Sequence, residues 1–144
     1  MGQYKPRATI LVVDDEPEVL GNVATVLNSA GYACQCCGTT EAAMDLARNI
    51  APDLIISDIN LGGRNGLEMC EQIKEDPALQ DVPVMFLSGV QIPDVIRRSH
   101  AAGGVYYLRK PFDPEVLLEL VDRALWMPHL ARAQAARETA PAAR

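Results

Sequence analysis

The sequence predicts an α/β fold, a five-stranded parallel sheet wound on both faces by five helices. Three observations carry that expectation. First, the apolar runs "TILVV" (9–13), "DLIIS" (53–57), "VPVMFLS" (82–88) and "GVYYL" (104–108) do not alternate polar with apolar residues. Strands buried on both faces read this way. Second, the stretches between the runs carry helical stripes, so the chain reads as β-α repeated five times, with right-handed crossovers. Third, 144 residues with 49% apolar content are one domain's worth of chain with enough material for a core.

The elements follow in order. After the first strand, Pro17 suits a first helical turn, and Val19, Leu20, Val23, Val26 and Leu27 keep a stripe that Gly31 ends. "YACQCC" is a weaker second strand. Ala42, Ala43, Leu46, Ala47 and Ile50 make the second helix. Asn65 followed by Glu68 resembles a capping box opening the third. A less regular fourth helix is read from about 92 to 102. Asp113 as cap and Pro114 at the first position open the fifth, with Val116, Leu117, Leu120, Val121 and Leu125 along it. The organisation is an N-terminal extension (1–6), a folded domain (7–126) and an Ala/Arg-rich tail or linker (127–144). That tail either extends the last helix past a break at Pro128 or is disordered.

Composition excludes several classes. Net charge is −6 and the pI about 4.8, with basic residues scattered, the reverse of a nucleic-acid binder. No apolar run approaches the roughly 18 residues a membrane helix needs, and "MGQYKPRATI" has no apolar signal region. The expected location is the cytoplasm. Cys34, Cys36, Cys37 and Cys70 read as small buried side chains in a reducing compartment.

In open α/β sheets, ligands bind outside the carboxyl ends of the strands. Asp14, Asp15 and Glu16 follow strand one. Asp58 ends strand three, Ser88 ends strand four, and Lys110 follows strand five. Clustered carboxylates repel one another and invite a hard divalent cation such as Mg²⁺. Lysine supplies a point charge for a phosphoryl oxygen, serine a hydrogen bond to another, and a carboxylate can form an aspartyl phosphate. "GGRNG" lacks the Lys-Ser/Thr of a phosphate loop.

With "VVDDEPEV", "DLIISDINL…NGLE", "VPVMFLSG" and "YYLRKPF" in this order and spacing, residues 7 to 126 resemble a receiver domain of two-component response regulators, the CheY-like family. The resemblance implies strand order 2-1-3-4-5. It implies that Asp58 accepts a phosphoryl group from a sensor histidine kinase or phosphotransfer protein, with Mg²⁺ as cofactor. Asp15 would hold the metal directly, Asp14 more through water, beside Asp58 and the backbone carbonyl of Asn60. Lys110 would bind the phosphoryl oxygen, and Ser88 and Tyr107 would form a switch pair. The Lys110–Pro111 bond is often cis in this family. Output would leave towards a downstream protein or output domain through the face of the fourth helix, fifth strand and fifth helix, and a homodimer is admitted. Such a domain is not an enzyme beyond its own phosphorylation and dephosphorylation.

Two departures stand out. Gly62 replaces the family's usual proline, which should loosen the loop after Asp58, and Gly89 replaces the commoner alanine. A degenerate receiver that only binds a partner would be expected to lack Asp58, Lys110 or the acidic pair. A haloacid-dehalogenase-like phosphatase needs an Asp-x-Asp after strand one, and a dinucleotide enzyme needs a glycine fingerprint there. The chain has neither.

Overall fold

The computed structural model describes residues 7–89 and 104–139. Strands β1 (Thr9–Val13), β2 (Ala33–Cys37), β3 (Leu54–Asp58), β6 (Val84–Ser88) and β7 (Gly104–Arg109) form one parallel sheet in the order β2-β1-β3-β6-β7. Between β3 and β6 lies a two-stranded antiparallel hairpin, β4 (Asn60–Leu61) and β5 (Arg64–Asn65). Without the hairpin, the order is the 2-1-3-4-5 of the resemblance. The helices are α1 (Pro17–Ser29), α2 (Thr40–Ile50), α3 (Gly66–Ile73) and α4 (Pro114–Thr139). The fourth predicted helix, 92–102, and the extension 1–6 lie outside the described residues.

The non-alternating runs are explained by two cores, one on each face of the sheet. Leu11, Val13, Ile55, Val84 and Phe86 face α2 and α3, which contribute Ala43, Ala47, Leu67, Met69, Cys70 and Ile73. Ile10, Val12, Leu54, Ile56, Met85 and Leu87 face α1 and α4, which contribute Val23, Leu27, Leu117, Val121 and Ala124. Successive strand residues point to opposite faces, so both must be apolar. Truncating any of the large ones to alanine costs about 2–5 kcal/mol.

Helix ends follow local chemistry. Pro17 opens α1, and Gly31 (φ 93°) ends it beyond Ala30. Thr39 caps α2 by accepting the Ala42 N–H at 3.1 Å. Asn65 caps α3 by accepting the Leu67 N–H at 2.8 Å, and Asp113 accepts the Glu115 N–H ahead of α4 at 2.8 Å. The backbone of α4 stays helical through Pro128 to Thr139, so the expected boundary at 126 falls inside a helix.

One expectation changes. The cysteines of β2 are not all buried: Cys36 is exposed and Cys34 and Cys37 are half-buried, because β2 is an edge strand, while Cys70 alone is buried. Gly62 and Gly63 (φ 59° and 87°) close a tight two-residue hairpin, a conformation that proline, locked near −65°, cannot enter.

Candidate functional site

Among the described residues, the buried polar or charged ones are Asp14, Thr40, Ser57, Asp58 and Ser88. Four of the five sit at the carboxyl ends of β1, β3 and β6. A strand end buried against its neighbours leaves these groups to partner one another, and one cation serves them. Lys110 Nζ lies 2.7 Å from Asp14 Oδ2, 2.8 Å from Asp58 Oδ2 and 3.3 Å from Glu16 Oε1. The lysine is carried there by β7, whose end is fixed to β6: the Lys110 N–H donates to the Ser88 carbonyl at 2.8 Å. The Lys110–Pro111 bond is cis.

The carboxylates are held from the backbone side as well. Asp14 Oδ1 accepts the Glu16 N–H at 2.9 Å, and Asp58 Oδ1 accepts the Asn60 N–H at 3.1 Å. Behind Asp58, the Ser57 hydroxyl donates to the Asp58 carbonyl at 2.9 Å. The start of α3 presses on the same carbonyl, and only a glycine at position 66 leaves room for it.

Asp14, Asp15, Glu16 and Asp58 each bring one oxygen within 4.8 Å of the others. Four ionised carboxylates against one ammonium leave three negative charges in excess. Burial pushes the Asp14 carboxyl above its ordinary range, against the pull of Lys110. Burial alone would depress Lys110, but Asp14 and Asp58 outweigh it and hold its pKa above the usual lysine value. Asp14 Oδ2 is buried and has no hydrogen-bond donor aligned on it besides that ion-pair contact. A buried carboxylate oxygen in that state, among other hard oxygen donors, fits a Mg²⁺-sized cation.

Every residue expected at the site and described is at this edge. Ser88 is buried at the end of β6, and Asn60, two residues after Asp58, opens β4. Tyr107 stands opposite Phe86, two pairs below Ser88 and Arg109, on the face that packs against α2 and α3. Sequence reading missed Glu16 as a partner of Lys110, although it stood in the same acidic run. It also missed the close approach at Gly66, for which the run "NG" before an apolar helix was the available signal.

The response regulator receiver domain family model matches residues 10–122. The chain belongs to that family. The curated relatives are longer proteins. The "DNA-binding dual master transcriptional regulator RpaA" of Synechocystis is 37% identical over 117 residues, 81% of this chain and 48% of the relative. The "Phosphate regulon transcriptional regulatory protein PhoB" of Pseudomonas aeruginosa is 34% identical over 110 residues, 76% of this chain and 48% of the relative. The chain thus spans about half the length of these curated relatives. Among solved structures, the chemotaxis protein CheY4 of Vibrio cholerae superposes with a TM-score of 0.78 at 29% identity, covering 81% of this chain and 98% of that one. The NtrX structure from Brucella abortus reaches 0.84 at 29% identity, over 91% of this chain and 30% of that one. Among the described residues, no helix of this receiver is long and apolar enough to cross a membrane.

Proposed function

We propose that this receiver accepts a phosphoryl group on Asp58 from the phosphohistidine of a sensor histidine kinase or phosphotransfer protein. One observation carries the proposal. Asp58 ends a strand with one carboxylate oxygen 2.8 Å from Lys110 Nζ, inside a cluster of three further acids. Asp58 would attack phosphorus, a P–O bond forming as the donor's P–N bond breaks and the imidazole leaves with its electron pair. Lys110 would neutralise an equatorial phosphoryl oxygen, and Ser88 would donate a hydrogen bond to another. Asp15, Asp58 and the Asn60 carbonyl would hold Mg²⁺, with Asp14 acting through water. The cation supplies charge neutralisation for the acids and the incoming phosphoryl group.

The test is intact mass after incubation with Mg²⁺ and acetyl phosphate. One phosphoryl adduct is expected, and Asp58→Asn abolishes it. An adduct that survives the substitution refutes the assignment. A receiver serving only as a binding module would form no adduct with the wild-type chain either.

The same reading makes Ser88 and Tyr107 the switch. Ser88 drawn towards the phosphoryl group vacates space that a packed interior does not leave empty, and Tyr107, on the same face of the neighbouring strand, fills it. The output surface would include the predicted helix 92–102, with Ile92, Val95, Arg97 and Arg98, which lies outside the described residues. Its partner would be a downstream protein, an output domain or a second copy, in the cytoplasm, with no nucleic acid bound by this acidic domain itself. Backbone amide NMR with beryllofluoride checks it: shifts confined to the surroundings of Asp58, with Tyr107 silent, would exclude the switch.

A further inference from the structure

Three of the cysteines, Cys34, Cys36 and Cys37, lie within the five residues of β2. This is an edge strand, paired with β1 alone. Side chains alternate between the faces of a strand, so Cys34 and Cys36 share one face and Cys37 takes the other. The packing agrees. Cys34 lies against the core that holds Val23 and Leu27 of α1, and Cys37 against the core of α2 and α3. Cys34 is half-buried and Cys36 exposed, so the same-face pair opens to solvent at one end.

Distance decides what such a pair can hold. Two residues of strand separate their Cα atoms by about 6.6 Å, and same-face Cβ atoms by nearly as much. A disulfide needs Cβ atoms about 3.8 Å apart. Closing one would buckle a strand that β1 holds in register over five pairs, and both thiols are free. An ion between two thiolates asks for less. Two metal–sulfur bonds of about 2.3 Å in line span about 4.6 Å. Rotation of the two side chains towards each other along the strand closes the remaining gap. Burial, and then the charge of Cys36, pushes the Cys34 thiol up to about 11, so the two sulfurs already sense each other. Cys37 feels Cys36 too, but from the opposite face.

Ligand number then selects the ion. Among the described residues, the one group of three or more ligating side chains is the acidic cluster, and no cysteine belongs to it. Zinc, which takes four ligands in structural sites, is left two short. A soft cation that two thiolates satisfy is not. We propose that Cys34 and Cys36 chelate one soft thiophilic cation of the Cu(I) class at the α1 side of the sheet edge. Two thiols release their protons to solvent as two copper–sulfur bonds form, and no electron changes hands. Hardness keeps this site apart from the carboxylates, which favour Mg²⁺.

The experiment is anaerobic titration of the full chain with Cu(I) against a chromogenic Cu(I) chelator, without thiol reductant, with native mass recording stoichiometry. One Cu(I) per monomer is expected, with affinity rising with pH because protons are displaced. Cys34→Ser and Cys36→Ser should each weaken binding by more than about 100-fold, beyond the loss typical of a group that only orients a ligand. Cys37→Ser, Cys70→Ser and a large excess of Mg²⁺ should leave it unchanged. If Cys34→Ser does not fold, Cys36→Ser at the exposed position decides together with the two controls. No Cu(I) bound by the wild type overturns the proposal. So does an equal loss in Cys37→Ser, or one ion shared between two chains.

Discussion

Gly66→Ala should destabilise the domain although alanine is the better helix former. Gly66 is the first residue of α3. A Cβ there would stand closer than 3.0 Å to the Asp58 carbonyl oxygen and 3.1 Å from Ser57 Oγ. The obstacle is backbone, so no rotamer change relieves it. The helix start must retreat from β3, and a retreat of about 1 Å would stretch the 2.7 Å bond from the Gly66 N–H to the Ile59 carbonyl out of range. Overpacking costs about 1–3 kcal/mol and the lost hydrogen bond about 1 kcal/mol. Helix propensity returns at most about 1 kcal/mol. The net is a loss of about 1–3 kcal/mol, or a fall in melting temperature of roughly 4 °C per kcal/mol for a domain of this size. Thermal melts followed by circular dichroism measure it, and the amide shifts of Ser57, Asp58 and Ile59 locate it. A melting temperature equal to or above wild type, with those three amides unmoved, would refute the close approach.

Lys110→Met should lower stability in chelator by about 2–4 kcal/mol, because it strands the buried Asp14 and Asp58 carboxylates beside each other. It should tighten Mg²⁺ binding, since Nζ no longer competes for both acids; melts with and without Mg²⁺ check this, and identical curves for variant and wild type would rule it out. Thiol labelling at pH 8 should reach the exposed Cys36 first. Burial pushes Cys34 and Cys37 to about 11 and Cys70 to about 12, so Cys70 should react only on unfolding, and rapid labelling of Cys70 in the native protein would contradict the packing. Burial, then the hydrogen bond to Asp122, raises Tyr32 from 10 to about 12. The folded state therefore keeps a proton the unfolded state gives up, so this contribution is whole below pH 10 and is lost as pH rises from 10 through 12. Tyr32→Phe should flatten the fall in melting temperature over that window; parallel curves would show that Tyr32 does not titrate differently on folding.

The sheet was legible because burial on both faces writes itself as unbroken apolar runs, and the site because parallel strands gather their carboxyl ends on one edge. Asp14, Asp58 and Lys110 could thus be placed together from strand ends alone. What stayed hidden depends on three-dimensional closeness rather than order. Glu16 touches Lys110 only because the lysine, fixed through the Ser88 carbonyl, leans back over β1. The exposure of Cys36 follows from the edge position of β2, which a run of small apolar residues does not announce. Gly62 read as freedom because composition carries no φ. The paired positive angles of the two-glycine turn appear only in the folded chain.

Charge then argues for the order of events at this site. With Lys110 counted, the four acids carry three negative charges in excess. Converting the Asp58 carboxylate to an acyl phosphate raises that excess to about four, since the phosphoryl group brings close to two charges and removes one. The added charge falls beside Asp14, which is buried and already pushed towards its neutral form. Lys110 cannot offset it alone, because its ammonium is already shared between Asp14 and Asp58 at 2.7 and 2.8 Å. A divalent cation would bring the excess down to one before any phosphoryl group arrives and hold it to about two afterwards. It also frees Lys110 to turn from Asp58 to a phosphoryl oxygen. Acetyl phosphate should therefore give no adduct in chelator, and adduct yield should rise with Mg²⁺ along the cation-binding curve measured without phosphodonor. Full yield in chelator would show that Lys110 alone suffices, and the charge argument would fall.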